Sequence, residues 1–192
     1  MNTEADTCRR FIVPLLQRAG WDDAPSAINE QRTFTDGRVM FVGGVAKRGR
    51  RKRADYILRY RPDYPIAVIE AKAEYAQDGV QQARDYAEVL GLRFAYASNG
   101  REIIEIDMTA GTERERTDFP TPAELWDRQR DQLRLGSPSA ETTVLTPGFP
   151  DPERPPRYYQ EIAVNRALEA ITVGRTRGCC QSNGNWSPAG RS

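Results

Sequence analysis

The chain has 192 residues, a length that suits one domain with part of a neighbour. Of these residues 39% are hydrophobic and 29% are charged, and the 28 Lys and Arg side chains nearly balance the 27 Asp and Glu side chains. It contains no histidine, which excludes Ser-His-Asp and Cys-His nucleophilic sites and histidine-ligated zinc, so oxygen ligands, and therefore Mg²⁺ or Mn²⁺, are favoured for any metal. No apolar run approaches a membrane span, the polar start is not a signal peptide, and the three cysteines lack disulfide or zinc spacing, so we predict a cytoplasmic protein without a membrane partner.

The first half of the chain predicts a helix followed by several strands. Apolar side chains recur at helical spacing from Cys8 to Ala19, and Gly20 is a suitable helix stop. The predicted elements of this half are a helix over residues 3–20, strands near residues 25–33 and 38–43 with a turn at Thr35-Asp36-Gly37, a basic loop over residues 43–53, and a hairpin that turns within residues 61–65.

The second half predicts further helices and one more strand pair. Its predicted elements are a helix over residues 76–91 with Val80, Ala83, Ala87 and Leu90 facing inward, strands over residues 93–98 and 102–108 joined at Asn99-Gly100, a helix over residues 122–133, a Pro-rich linker over residues 136–156 and a helix over residues 157–173. This order predicts an α/β domain with a mixed sheet flanked by helices.

Asp55, Glu70 and Lys72 are the candidate catalytic residues. The apolar run before Glu70 predicts a buried strand, yet the strand ends with a carboxylate and an amine two residues apart, on one face. Buried charges are costly unless they are paired or bound to a metal. Two carboxylates can hold Mg²⁺ against a scissile phosphate, and the lysine can position the attacking water and stabilise the transition state. The alternative is a surface ion pair on an edge strand.

The partner of Glu70 is predicted from hairpin geometry. An antiparallel hairpin that turns within residues 61–65 places Asp55 roughly opposite residues 70–72. Asp63 is nearer in sequence, but at about 3.3 Å per residue it lies roughly 20 Å along the strand from Glu70, in the turn. Asp55 shares a face with Glu70 and Lys72 only if paired residue numbers sum to an odd number, because a slip of one residue turns the side chains to the other face.

Three further side chains are candidates for the same site. Glu4 on the first helix is a possible third metal ligand, although an acid at a helix start is equally well explained by the helix dipole. Gln82 and Tyr86 are four residues apart and so share a helix face, where an amide and a phenol can hydrogen-bond a phosphate or water. The alternative for this pair is an ordinary half-buried helix face.

A dense run of positive charge leads into Asp55. It provides six candidate DNA-binding residues, Lys47, Arg48, Arg50, Arg51, Lys52 and Arg53. Such a run attracts a phosphate backbone without reading its sequence, and the attraction weakens with salt. A solvated loop with no ligand is the alternative.

The last predicted helix opens with Arg157-Tyr158-Tyr159-Gln160. A glutamine can read adenine through paired hydrogen bonds while a neighbouring aromatic ring stacks on the base, so Tyr159 and Gln160 are candidate nucleotide-binding residues. No G-x-x-x-x-G-K-[S/T] loop follows them in the chain, so a cradle for ATP phosphates is not predicted.

Together these motifs resemble the N-terminal region of the restriction (R) subunit of type I restriction-modification enzymes, a nuclease of the PD-(D/E)xK superfamily. The matching residues are, in chain order, Ala19-Gly20-Trp21-Asp22, Arg53-Ala54-Asp55-Tyr56, Glu70-Ala71-Lys72, Gln82-Ala83-Arg84-Asp85-Tyr86, Ser98-Asn99-Gly100 and Arg157-Tyr158-Tyr159-Gln160. The fourth group matches the family's Q-x-x-x-Y motif, and the last resembles the Q-motif that begins the family's superfamily 2 helicase motor.

The resemblance implies Mg²⁺-dependent cleavage of double-stranded DNA in a complex with modification and specificity subunits. Asp55, Glu70 and Lys72 would be catalytic, with Gln82 and Tyr86 in support and Glu4 a possible addition to the metal ligands. ATP is implied only for a full-length parent, whose motor moves DNA before cutting.

The resemblance also implies a division of the chain. We expect a PD-(D/E)xK nuclease domain over residues 1–135, a linker over 136–156, the start of a helicase motor over 157–178, and a tail over 179–192 that is unstructured or out of frame. The tail lacks the apolar strand and ATP loop that follow in the family, so the chain is interpreted as a truncated product. Without its motor, we expect this product to bind DNA weakly and to cut poorly or not at all.

Two other functions remain open at this level. One is a non-catalytic DNA-binding or assembly module of a restriction complex, in which the acids are structural. The other is a stand-alone PD-(D/E)xK repair nuclease, which would cut without partners or ATP.

Overall fold

A computed structural model describes the backbone of residues 8–35, 39–42, 45–48, 51–146 and 156–174, and the side chains of residues 10–30, 53–146 and 156–174. The chain divides into two compact units, residues 1–126 and 127–192. The first unit contains the large sheet, and the described elements that lie wholly in the second unit are helices.

The first unit is built on a mixed six-stranded sheet. The strands are β1 (Ala27–Thr35), β4 (Arg51–Arg61), β5 (Tyr64–Ala71), β6 (Phe94–Ser98), β7 (Ile103–Asp107) and β8 (Thr112–Arg116), in the spatial order β1-β4-β5-β6-β7-β8. All neighbours are antiparallel except β5 and β6, which run parallel. A parallel pair needs a crossover, and α2 (Val80–Leu90) supplies it after a 3₁₀ turn over Ala76–Gly79. The predicted α/β class with a mixed sheet is confirmed.

Helix α2 buries the face that its periodicity predicts. Val80, Ala83, Ala87 and Leu90 are all buried, and Tyr86 is buried with them. The helix stops at Gly91, which has φ of +66°, a left-handed conformation that costs glycine little. The predicted helix over residues 76–91 and the hairpin of β6 and β7 are therefore confirmed.

The first helix of the unit is shorter than the predicted one in the described residues. A π-helical turn over Cys8–Ile12 leads into α1 (Val13–Arg18), and Ile12 and Leu16 are fully buried. Gly20 has φ of +85° just beyond the helix, as expected of a stop. Residues 3–7 lie outside the described residues.

Aromatic side chains fill much of the remaining core of this unit. Trp126 stacks on Tyr60 at a centroid distance of 4.9 Å and meets the edge of Tyr64 at 5.4 Å. The buried Trp21 indole donates a hydrogen bond of 2.8 Å to the carbonyl of Pro120. These contacts tie the segment after the sheet back to its beginning, because offset-stacked and edge-to-face rings add to the burial of apolar area.

Three features of the strands in the first unit differ from what the sequence led us to expect: the pairing of β1, the strands within the basic segment, and an additional edge strand. β1 pairs with β4, whereas β2 (Val39–Val42) pairs with β3 (Val45–Arg48) in a separate two-stranded sheet. Part of the predicted basic loop is therefore strand, since residues 45–48 form β3 and β4 begins at Arg51. Partners distant in sequence decide these pairings, as Thr35 opposite Arg51 shows, and local patterning does not reveal them.

The third difference is strand β8, which the sequence analysis did not predict. Its sequence, TERER, has no apolar alternation, and it lies at the edge of the sheet with mostly exposed side chains. Charged side chains are common on edge strands, because they discourage pairing with other chains. Arg114 and Arg116 pair with Glu105 of β7, which is 1% exposed, so a buried carboxylate holds the strand in place.

Helix α3 (Pro122–Leu133), predicted over these same residues, crosses the division between the units. The second unit adds α4 (Pro138–Leu145) and α5 (Tyr158–Thr172), the latter confirming the helix predicted over residues 157–173. Helix α4 lies within the predicted linker, where Ser137 Oγ accepts from Ala140 N at 3.2 Å and Pro138 occupies the first turn. The division into linker and motor stays a prediction.

Within the described residues, every helix is too short or too polar to cross a bilayer.

Candidate active site

The register of β4 and β5 brings Asp55 opposite Glu70. Tyr56 pairs with Ile69, and Ile57 pairs with Val68; one further step in the same register pairs Asp55 with Glu70. The paired residue numbers sum to an odd number, which is the condition for Asp55 to share a face with Glu70 and Lys72. Since directly opposed residues share a face of the sheet, the predicted arrangement of the two acids is confirmed.

Asp63 lies at the other end of the hairpin. Arg61 pairs with Tyr64, which leaves Pro62 and Asp63 as the two turn residues. The register shifts twice near this end, on either side of Arg59, and β5 carries Pro65 there, which has no N–H for the ladder. The choice of Asp55 over Asp63 as the partner of Glu70 therefore agrees with the strand pairing.

The Asp55 carboxylate contacts the end of β5. Its Oδ2 accepts a hydrogen bond of 2.9 Å from the backbone N–H of Ala71, the residue between Glu70 and Lys72. The backbone N–H of Lys72 donates to the carbonyl of Ser98 on β6 at 2.9 Å. The end of β5 is thus held on both sides, which fixes the backbone from which Glu70 and Lys72 project.

Four side chains form a continuous chain of polar contacts. Lys72 Nζ lies 3.0 Å from Glu70 Oε1 and donates to Gln82 Oε1 at 3.1 Å, and Gln82 Nε2 donates to the Tyr86 hydroxyl oxygen at 2.7 Å. An ammonium group can only donate, so Lys72 requires the oxygen of the Gln82 amide and turns its nitrogen toward Tyr86. The ion pair offsets part of the cost of burying Glu70, which is 3% exposed.

The pKa of the Tyr86 phenol depends on the charges of this cluster. Burial raises its pKa above the usual 10.0, and the negative charges of Glu70 and Asp55 raise the pKa further, whereas the hydrogen bond from Gln82 and the charge of Lys72 lower it. The net effect is a raised pKa, so the phenol is protonated at neutral pH. Both acids and the lysine are therefore near enough to act on one hydroxyl group.

Gly79 allows the start of α2 to approach the strand. A Cβ atom at this position would lie 3.1 Å from Lys72 Cγ, 3.3 Å from Ala97 Cβ and 3.5 Å from Glu70 Cγ. Such distances are tight, so the absence of a side chain lets the helix bring Gln82 within reach of Lys72. Sequence reasoning overlooked Gly79, although a glycine in the turn before a helix was a visible signal.

Comparison with known proteins then places the chain in a family. Residues 30–114 match the family model described as the type I restriction enzyme R protein N terminus. The chain is 39% identical over 185 residues to the type I restriction enzyme EcoAI endonuclease subunit of Escherichia coli, covering 91% of this chain and 22% of that subunit. The match contains the strands that carry Asp55, Glu70 and Lys72.

Over residues 30–114 the chain matches the N-terminal domain of type I restriction R proteins.

A solved structure supports the assignment of this R protein N-terminal region. It is a fragment assigned to an HsdR subunit of a type I restriction enzyme from Vibrio vulnificus YJ016, with a TM-score of 0.77 and 49% identity, covering 90% of this chain and 33% of that one. The chain spans about a fifth of the length of the E. coli relative. The resemblance stated from the motifs is thus confirmed.

The turn between β6 and β7 supports the loop after Lys72 in this R protein domain. Asn99 Nδ2 donates to the carbonyl of Glu74 at 2.6 Å, and Ser98 Oγ accepts from Gly100 N at 2.9 Å while donating to the Glu102 carbonyl at 2.8 Å. Sequence reasoning recognised Ser98-Asn99-Gly100 as a turn and a family motif. The structure adds that its side chains brace the loop that leads from β5 to α2.

Not every predicted site residue of the R protein domain can be placed. Glu4 and Arg50 lie outside the described residues, and Lys47, Arg48, Arg51 and Lys52 lie on strands whose side chains are not described. Arg53 is exposed, and as the second residue before Asp55 it points to the same face of β4. Tyr159, which is 48% exposed, and Gln160 belong to the second unit, where Gln160 Oε1 accepts from Arg157 N at 2.9 Å.

The acids of this R protein domain suit a hard cation. In the described part of the chain, no group of three or more His, Cys, Asp or Glu side chains is arranged to hold a metal. Mg²⁺ is commonly bound through one or two carboxylates together with water and substrate phosphate, so a pair of acids is sufficient for it. Asp55 and Glu70, opposed across the ladder and supplying oxygen alone, fit that cation.

Proposed function

We propose that this chain carries the Mg²⁺-dependent endonuclease site of a type I restriction R subunit and hydrolyses phosphodiester bonds of double-stranded DNA. The observation that carries the proposal is the pairing that faces Asp55 with Glu70 and places Lys72 beside them. A strand pair ending in two acids and a lysine is the arrangement that the PD-(D/E)xK resemblance implies. Membership of the R protein family favours restriction over stand-alone repair.

The two acids would hold the cation at the scissile phosphate. When bound, Mg²⁺ would supply positive charge there and promote ionisation of a water molecule at neutral pH. Asp55 is oriented for this by its hydrogen bond from Ala71 N, and Glu70 by its contact with Lys72. The cost of ordering these carboxylates is met during folding, before DNA binds.

Lys72 would act on the phosphate and the attacking water. Its side chain is 17% exposed and so is largely removed from solvent, which strengthens its attraction for the charge that develops on the phosphate oxygens. Gln82 holds the ammonium from the helix side, and Tyr86 holds Gln82. The two helix residues thus support the orientation of Lys72 and require no contact with DNA.

The family implies partners and conditions that we also propose. DNA is the substrate, modification and specificity subunits complete the complex, and the cytoplasm is where it acts. ATP would serve the motor of a full-length R subunit. The chain itself spans 22% of its E. coli relative. We also propose that Tyr159 and Gln160 are nucleotide-binding residues at the start of the helicase motor, and that residues 47–53 bind DNA.

Plasmid cleavage with matched acid variants tests the proposal. Supercoiled plasmid is incubated with an excess of the chain and Mg²⁺, and nicked and linear products are measured. We expect Lys72→Ala and Asp55→Asn to lower the rate at least about 100-fold, because each removes charge from the reacting centre. Asp63→Asn, at the far end of the same hairpin, is expected to cut at the wild-type rate.

Two results would contradict the nuclease proposal. Equal cutting by all four proteins would mean that the activity comes from elsewhere. DNA binding without cutting by any of them, including when modification and specificity subunits are added, would favour a non-catalytic DNA-binding or assembly module.

A further inference from the structure

An exposed aromatic side chain, Tyr75, follows the end of β5. It is 63% exposed, and it is one of three large apolar residues with exposed side chains in the described part of the chain, the others being Tyr159 and Ile171. Tyr75 is the third residue after Lys72, in the loop that leads to α2. Its position thus places an aromatic ring in solvent at the edge of the proposed nuclease site.

The backbone on both sides of Tyr75 is fixed. The carbonyl of Glu74, which belongs to the preceding peptide group, accepts from Asn99 Nδ2 at 2.6 Å. The N–H of Ala76, which belongs to the following peptide group, donates to Glu102 Oε2 at 3.4 Å. The two bracing side chains also contact each other, with Asn99 Nδ2 at 3.2 Å from Glu102 Oε2. Because both flanking peptides are held, the backbone that carries the Tyr75 ring is fixed before any ligand arrives.

The neighbours of Tyr75 indicate what the ring can bind. Glu74 and Asp78, both exposed, carry negative charge along the same loop, so a nucleotide can contact this loop through its base and not through its phosphate. A neutral base is not repelled, and every base offers a π-face on which an aromatic ring can stack. An aromatic side chain also loses little conformational entropy on binding, because it has only two χ angles.

We propose that Tyr75 stacks on an unpaired nucleobase next to the phosphate that is cut. A base inside an intact duplex has both faces covered by its neighbours, so contact with the ring requires a locally opened strand. The protein would therefore bind DNA with unpaired bases more tightly than a perfect duplex. This inference rests on the proposed nuclease function for the position of the DNA, with Lys72 and the acids marking the phosphate.

Binding without cutting tests this proposal. The full chain is titrated, with Ca²⁺ in place of Mg²⁺, into two fluorescently labelled oligonucleotides, one a perfect duplex and the other carrying a short unpaired segment that contains 2-aminopurine. We expect tighter binding of the second DNA and quenching of 2-aminopurine fluorescence on stacking. Tyr75→Ala should weaken binding of that DNA about 5-fold to 100-fold, with little change for the perfect duplex.

Three variants separate stacking from other effects. Tyr75→Phe should keep both the preference and the quenching, since the ring is retained, whereas Tyr75→Leu should lose both although it is apolar. Ile171→Ala, which also removes an exposed apolar side chain, should behave as the wild type. Equal preference for the unpaired DNA in the wild type and Tyr75→Ala, or unchanged quenching in Tyr75→Leu, would overturn the proposal.

The nuclease claim can fail separately. If the wild type fails to cut in Mg²⁺ while the Tyr75 variants still lose binding and quenching, the base contact stands and the nuclease function does not. If cutting depends on Lys72 but binding is indifferent to Tyr75, the base contact alone is wrong.

Discussion

Lys72 illustrates how single residues in this protein are set in place by their neighbours. Its ammonium contacts Glu70 and Gln82, and its backbone N–H is bound to Ser98. A flexible four-carbon side chain loses rotamer freedom when it is held in this way. Since the loss occurs on folding, the lysine is already in position when a phosphate binds, which is the physical content of a preorganised site.

The sequence predicted these residues well where a strict periodicity applied. The two-residue period of a strand placed Glu70 and Lys72 on one face, and antiparallel geometry selected Asp55 and rejected Asp63. Gly79 was overlooked, because the need for a glycine depends on the distance between a helix and a strand. That distance depends on tertiary packing, which local patterning does not contain.

Asp107 provides a test of stability against pH. Burial alone would raise its pKa, but hydrogen bonds from Arg93 and from the backbone N–H groups of Ala110 and Thr109 outweigh burial and hold the pKa below the usual 3.8. A lowered pKa means that Asp107 stabilises the fold above its unfolded pKa and that this contribution disappears as the pH falls through the folded pKa.

We therefore expect Asp107→Asn to lower the free energy of unfolding by about 2 kcal/mol at pH 7, since hydrogen bonds to a charged group are lost. The difference from the wild type should shrink as the pH falls below the usual 3.8 and through the lower folded pKa, where the wild-type carboxylate becomes protonated. Urea unfolding at several pH values measures this. Asp118→Asn, at an exposed side chain that pairs with Arg18, is the control, and a pH-independent difference for Asp107→Asn would contradict the assignment.

At the scale of elements, the fold follows local sequence signals except at two short strands. Helices α2 and α3 and the hairpin of β6 and β7 have strong periodicity or a strong turn signal, and each forms as predicted. β3 and β8 have neither, since one lies in a basic segment and the other alternates charges. Their pairing with neighbouring strands supplies the backbone hydrogen bonds that local propensity does not favour.

The turn between β6 and β7 gives a test of one glycine in its surroundings. Gly100 has φ of +84°, and a Cβ atom there would lie 2.2 Å from Phe11 Cβ, whereas Gly111 has φ of +67° with nothing within 4 Å of such an atom. Both alanine variants adopt an unfavourable left-handed backbone, at a cost of about 1 to 2 kcal/mol. Gly100→Ala must also displace the first helical segment.

We expect Gly100→Ala to lower the free energy of unfolding by at least about 2 kcal/mol more than Gly111→Ala does, because a displaced core contact adds the cost of overpacking to the backbone strain. Chemical denaturation of both variants gives the comparison. Equal losses would show that Phe11 moves aside without cost, so that the turn and the first helical segment are not firmly packed together.

For the whole molecule, the balance of charge limits how DNA can be attracted. The formal net charge is +1, so long-range attraction to a polyanion is weak and binding must come from local positive charge. The run over residues 47–53 concentrates six cations in seven residues and leads directly to Asp55. Attraction of this kind is screened by salt and independent of base sequence.

Arg53 allows this electrostatic contribution to be measured, because it is exposed and shares a face with Asp55. If it contacts one phosphate, Arg53→Ala should reduce the slope of the logarithm of the binding constant against the logarithm of salt concentration by about 1. Binding to a perfect duplex in Ca²⁺ at several salt concentrations provides the slope. Arg101→Ala, at an exposed cation on the turn after β6, is the control, and an unchanged slope for Arg53→Ala would remove Arg53 from the DNA-binding surface.

The two register shifts beside Arg59 have a consequence for how this hairpin can vary among relatives. One shift alone would turn Glu70 and Lys72 to the other face of the sheet, away from Asp55. The two shifts cancel, because the residue numbers paired at Arg61 and at Leu58 both sum to an odd number. We therefore expect a single-residue insertion near the turn to separate Asp55 from Glu70, and a compensating deletion on the same strand to restore their pairing.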